Sequence, residues 1–119
     1  MNELIDSLRS VAAEQRRRAE LKLNFYNKGS KIHKKQMEFH RCLSGNRWVF
    51  GGNRTGKTEC GAVETVWLAR GIHPFRKNIQ NASCWVVSLS AQVQRDVAQA
   101  KILEYIDKRW VSEIVMTAG

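Results

Sequence analysis

The stretch WVFGGNRTGKTECGAVE, Trp48 to Glu64, constrains this chain more than any other. Three apolar residues run into Gly51 and Gly52, a basic loop follows, and a helical pattern starts at Lys57. Gly51, Gly56, Lys57 and Thr58 fit the spacing G-x-x-x-x-G-K-S/T. Each residue type has a physical reason. Glycine lets the backbone turn tightly and approach an oxygen-rich group with no side chain in the way. Successive N–H groups of such a loop can converge on an anion, and the following helix adds unpaired N–H groups and the positive end of its dipole. Lys57 would reach the outer phosphates, and the Thr58 hydroxyl would ligate a magnesium ion bridging them. The plainer alternative is a glycine-rich turn between a strand and a helix, with a threonine capping the helix.

The surrounding pattern supplies the context that such a loop needs. Residues 2–26 read as a helix with Leu4, Leu8, Val11 and Ala12 on one narrow stripe, interrupted by Arg16, Arg17 and Arg18. Those arginines read as a solvated turn of helix rather than a specific contact. NKGSK (27–31) reads as a turn, and Lys34 to Leu43 as a second, shorter helix. RWVFGG (47–52) and SCWVVSLS (83–90) read as buried strands. Lys57 to Arg70 reads as a helix ended by Gly71, and Ala91 to about Tyr105 as another. Strand, helix, strand implies a parallel pair with a right-handed crossover. The expected fold class is therefore α/β: an incomplete P-loop NTPase, a parallel sheet flanked by helices, with an N-terminal helical extension over residues 1–30 and the ATPase portion over 31–119.

Charge narrows the partners. Lys plus Arg is 20 and Asp plus Glu is 11, a formal net charge of +9. That balance favours polyanions such as nucleic acid or nucleotide phosphates and says nothing about fold. Cys42, Cys60 and Cys84 are an odd number without C-x-x-C spacing, which fits reduced thiols better than a disulfide scaffold or zinc site. No run approaches the ~18 apolar residues of a membrane span, and the N-terminus lacks the apolar core of a signal peptide. The expected location is the cytoplasm.

Residues 36–75, QMEFHRCLSGNRWVFGGNRTGKTECGAVETVWLARGIHPF, resemble the ATPase of the large terminase subunit of tailed bacteriophages, which pumps DNA into a capsid. The GGNRTGKT form, the GA-x-E after it and the G-x-HP beyond the helix carry the likeness. The later VVSLSAQVQRDVAQAKILEYI resembles the second strand and helix of that domain. The resemblance implies ATP and Mg2+ as cofactors, a bacterial host cell, double-stranded DNA, a portal and a small terminase subunit as partners, and a homo-oligomeric motor in the intact protein. It implies that Gly51, Gly52, Asn53, Arg54, Thr55, Gly56, Lys57 and Thr58 bind the phosphates, with Thr58 on magnesium. Lys57 and Arg54 would be catalytic, Arg54 as an arginine finger. Gln36 and Phe39 match an adenine-recognition segment: a carboxamide can pair with the adenine edge and an aromatic ring can stack on it. The alternatives are an exposed helix residue for Gln36, core for Phe39 and a solvent-facing arginine for Arg54. Ser88, Ser90, Gln92 and Gln94 could contact phosphates of nucleic acid, although capping by Ser90 is simpler.

Hydrolysis needs more than a cradle. No apolar strand pattern ends in Asp or Glu, so the second magnesium anchor and the water-positioning carboxylate expected of such an ATPase are missing. Glu64, on the helix after the loop, reads as structural. The expectation is an ATPase portion truncated before its Walker B strand, with marginal stability or self-association from uncovered sheet edges and apolar faces. Whether this chain turns over ATP stays open. Another P-loop ATPase of helicase type, a small-molecule kinase, or a remnant that only binds nucleotide are the alternatives.

Overall fold

The computed structural model describes residues 1–29, 32–52 and 55–115. Helices dominate it. α1 covers Asn2–Glu20 and is followed by a 3-10 turn, Lys22–Phe25. α2 covers Lys34–Arg41 and α3 covers Lys57–Arg70. α4 (Ala91–Val93) runs through a π-helical stretch, Gln94–Gln99, into α5 (Ala100–Tyr105), and a last 3-10 turn covers Lys108–Trp110.

α3 is the centre. Gly56 enters it at φ 83° and Gly71 leaves it at φ 74°, both in the left-handed region that glycine occupies without strain. The amides of Gly71 and Ile72 both return to the Trp67 carbonyl, which closes the C-terminus as a glycine stop should. Ala62, Val63 and Val66 of α3 are buried with Leu23 and Tyr105. Tyr26, Trp67, Ile102, Ile106 and Trp110 pack around that cluster. The core therefore joins α3, α5 and the first 3-10 turn. α1 contributes little to it: Leu4, Leu8 and Val11 of its predicted stripe are exposed.

The expected parallel sheet does not form: among the described residues there is no strand, so an α/β P-loop NTPase fold is not what this structure shows. Both predicted strands, 47–52 and 83–90, lack regular structure, and among the described residues no backbone-to-backbone hydrogen bond joins them to each other; the Ser90 carbonyl accepts only from the Gln94 amide of the helix that follows, at 3.0 Å. Their apolar side chains stand in solvent, with Trp48 81%, Phe50 88% and Trp85 91% exposed. The physical reason is that a strand is defined by its neighbour. β-branched and aromatic residues favour a pleated, half-buried surface, and without a ladder and a covering layer their propensity has nothing to act on.

The chain is correspondingly loose. Its radius of gyration is 17.0 Å, whereas a compact domain of this length would give about 13.5 Å. Exposed apolar segments of this kind drive association. The chain should therefore sediment as concentration-dependent oligomers, and replacing Trp85 and Leu89 together by Ser should shift it toward monomer. A wild-type chain that stays monomeric at high concentration contradicts this reading of the surface.

Candidate functional site

Two groups of residues meet at the N-terminal half of α3: the glycine loop with Lys57, and a buried polar network centred on Glu64. In the loop, the Lys57 ammonium donates to the Gly51 carbonyl and, at 3.1 Å, to the Gly52 carbonyl. The Thr55 hydroxyl donates to the Gly52 carbonyl at 2.9 Å. A Cβ on Gly51 would stand 2.9 Å from Thr55 Oγ1 and 3.6 Å from Lys57 Cδ, so a side chain there would fill the space that the lysine crosses. Thr58 is exposed on the first turn of α3. Gly51, Gly52, Thr55, Gly56, Lys57 and Thr58 thus surround one short turn. Asn53 and Arg54 lie outside the described residues.

Gln36 and Phe39, paired by the sequence reading, go to different places. Gln36 reaches the loop: its Nε2 donates to the Gly56 carbonyl at 3.2 Å, and its Oε1 accepts from the Tyr26 hydroxyl at 2.9 Å. A Cβ on Gly56 would sit 2.3 Å from Gln36 Nε2, so any other residue there would displace the Gln36 amide from the loop. Phe39 lies under the Arg47 guanidinium at 4.4 Å, and its carbonyl accepts from Arg47 at 3.0 Å. Beside Gln36 opens a cavity of about 1020 Å³, lined by Phe25, Tyr26, Asn27, His33 and Tyr105 among others. Phe39 does not line it. Arg17 and Arg18 sit over the Phe25 ring, 5.2 and 5.4 Å from its centre. Both also bond Glu14 at 2.9 Å.

The second predicted polar segment folds on itself. The Ser90 hydroxyl accepts from the Val93 amide at 3.2 Å, the helix cap expected on sequence grounds. Ser88 Oγ bonds the side chain of Gln94, whose Nε2 donates to the Val86 carbonyl at 3.1 Å. Those two side chains are engaged within the chain, which leaves Gln92 exposed.

Glu64, which the sequence reads as structural, centres a buried network with His40, Arg47 and His73, to which the sequence reading gave no functional role. Glu64, 6% exposed, accepts from three side chains. His40 Nδ1 is 2.5 Å from Glu64 Oε2, Arg47 Nη2 donates to Glu64 Oε1, and His73 Nε2 lies 3.0 Å from both oxygens. His73 has a fixed tautomer: its Nδ1 accepts from the amides of Phe75 and Arg76, both at 3.1 Å, so Nε2 carries the hydrogen. Trp67 packs edge-on against both rings, 4.8 Å from His40 and 5.4 Å from His73. Burial by itself would raise the Glu64 carboxyl, but the hydrogen bonds from His40, Arg47 and His73 outweigh it and hold the group at about 2. Burial pushes the Cys60 thiol up to about 11 and raises the hydroxyls of Tyr26 and Tyr105, so all three stay neutral.

His40, Glu64 and His73 place potential ligand atoms within 4.8 Å of one another, a spacing that could suit a metal ion. The chemistry does not fit one. His73 Nε2 is protonated, and the carboxylate is already taken by a guanidinium. The cluster is a satisfied ion-pair network. Only Pro74, which holds the preceding residue extended, hinted in sequence that His73 had a fixed place.

No family model, no curated protein and no solved structure matches the chain. No helix among the described residues is long and apolar enough to cross a membrane.

The Glu64 network makes stability depend on pH in a defined direction. A carboxyl near 4.5 when unfolded and about 2 when folded stabilises the fold above pH 4.5, and that contribution is lost as pH falls through about 2. The melting temperature should drop across that window, and Glu64→Gln should lower stability at neutral pH and flatten the drop. An equally steep acid transition in Glu64→Gln would contradict the assignment.

Proposed function

We propose that this chain binds a nucleoside triphosphate, ATP with Mg2+, through residues 51–58, as the nucleotide-binding part of a DNA-packaging motor of the terminase type. The observation that carries the nucleotide reading is the position of Lys57. Its ammonium is drawn back across the glycine turn onto the carbonyls of Gly51 and Gly52, at the positive end of a 14-residue helix. A phosphate entering the turn would offer that ammonium better acceptors than two carbonyls. Thr58, one residue further on the same exposed turn, would hold the magnesium ion, which supplies charge neutralisation between phosphates. The cavity beside Gln36 adjoins the same end of α3 through Glu59, and its aromatic wall of Phe25, Tyr26 and Tyr105 suits a nucleobase. Double-stranded DNA, a portal and a small terminase subunit are the partners that belong to this reading, and the positive net charge agrees with the first.

Turnover is a different matter. Among the described residues, Glu59 and Glu104 pair with Lys22 and Lys101, Asp96 with Arg95, Asp107 with Arg109 and Glu64 with Arg47. No apolar strand pattern in the sequence ends in an Asp or Glu that could position an attacking water, so we assign the chain binding without efficient hydrolysis.

Titration with a fluorescent ATP analogue should show magnesium-dependent binding and no steady-state phosphate release. Lys57→Ala should weaken the binding by roughly tenfold or more, the loss expected for a charge-assisted contact. Binding that ignores Lys57→Ala, or none at millimolar analogue, would remove the basis for the nucleotide assignment.

A further inference from the structure

A continuous line of polar contacts joins the loop to the buried carboxylate. Gln36 Nε2 meets the Gly56 carbonyl at 3.2 Å, and Gln36 Oε1 meets the Tyr26 hydroxyl at 2.9 Å. The Tyr26 hydroxyl meets His40 Nε2 at 2.9 Å, and His40 Nδ1 meets Glu64 Oε2 at 2.5 Å. Each of the four contacts needs one hydrogen. The Gly56 carbonyl has none, and Glu64, ion-paired with Arg47, has none. Gln36 has hydrogens only on its nitrogen. Flipping its amide to serve Tyr26 would turn its oxygen against the Gly56 carbonyl oxygen, so it supplies the contact to Gly56. Tyr26 has a single hydroxyl hydrogen, and Gln36 Oε1 is an acceptor that needs it. His40 must then fill the last two contacts, one from each ring nitrogen.

The surroundings of His40 accept this. The ring is fully buried, with Tyr26, Phe39 and Trp67 edge-on around it and His73 further off at 6.4 Å between ring centres. Cys60 Sγ, 3.6 Å from Nε2, belongs to a neutral thiol, a weak partner beside the 2.9 Å contact to Tyr26. Glu64 is the carboxylate that faces Nδ1, at 2.5 Å.

We propose that Tyr26 and His40 are positioning residues for the phosphate-binding loop: His40 donates from both ring nitrogens, which commits the Tyr26 hydrogen to Gln36 and so holds the Gly56 carbonyl. Gly56 is the residue from which α3 starts, and its carbonyl also accepts from the Cys60 amide at 3.0 Å. Fixing that carbonyl fixes the turn on which Lys57 and Thr58 stand. The functional meaning rests on the nucleotide reading; the hydrogen placement does not.

The test is nitrogen and carbonyl NMR on the full chain at neutral pH, with the His40 signals assigned by their loss in His40→Gln. Wild type should show two N–H groups on the His40 ring. In Gln36→Leu the Tyr26 hydrogen has no acceptor on that side and turns to His40, so the ring should fall to one N–H and the Gly56 carbonyl resonance should move. A merely structural glutamine would not change the proton count of a histidine two contacts away. Tyr26→Phe should also move the Gly56 resonance and should weaken binding of magnesium with a non-hydrolysable ATP analogue by about fivefold, one neutral hydrogen bond's worth. A single N–H on His40 in wild type overturns the proposal, as does a Gly56 resonance unmoved in both variants. A moved Gly56 resonance with unchanged analogue binding would refute the positioning role and leave a structural bond. If wild type binds no analogue, the nucleotide reading fails on its own, and the proton count and the Gly56 resonance still decide the hydrogen placement.

Discussion

An ionised carboxylate taken out of water must find donors in place of it, or the fold around it fails. Glu64 finds three, and each comes from a different part of the chain. His40 belongs to α2, Arg47 to the irregular segment before the loop, and His73 to the turn after α3. One buried charge on α3 therefore fastens three segments that would otherwise have few reasons to stay in place. Arg47 extends the clasp by covering Phe39 and bonding its carbonyl. Arg76 extends it on the far side by bonding the carbonyls of Cys42 and Ser44.

The small apolar core and this polar clasp sit on adjoining faces of the same helix turns, and Trp67 touches both. Val63 and Val66 face Leu23 and Tyr105, while Glu64 and Trp67 face the two histidines. Tyr26 belongs to both, packing against Tyr105 and Trp67 by its ring and reaching Gln36 and His40 by its hydroxyl. That double membership is how the loop is coupled to the interior. Pairs on the outside, such as Lys22 with Glu104 and Arg109 with Asp107, are solvent-screened and contribute little by comparison.

Local chemistry was readable in the sequence where the determinants are local. Lys57–Arg70 is bounded by Gly56 and Gly71, and both glycines sit at the ends of the helix with positive φ. Ser90 caps its helix as its position before Ala91 implied. The predicted helix over 2–26 runs only to Glu20 before tightening into a 3-10 turn. The predicted sheet failed because Trp48, Phe50, Trp85 and Val87 carry strand propensity, whereas a ladder is a property of two segments, and these two do not pair. In sequence His40 is one residue of the predicted helix from Lys34 to Leu43. Its burial, and its place between Tyr26 and Glu64, depend on residues 14 and 24 positions away and leave no trace in any short window.

The claim on which the account stands is that Glu64 and Arg47 hold each other as a buried pair. A double-mutant cycle with Glu64→Gln and Arg47→Met, read by urea unfolding at neutral pH, measures it most directly. The account predicts strong non-additivity, with a coupling energy of about 1–3 kcal/mol. Losses that simply add, to within about 0.5 kcal/mol, would contradict it.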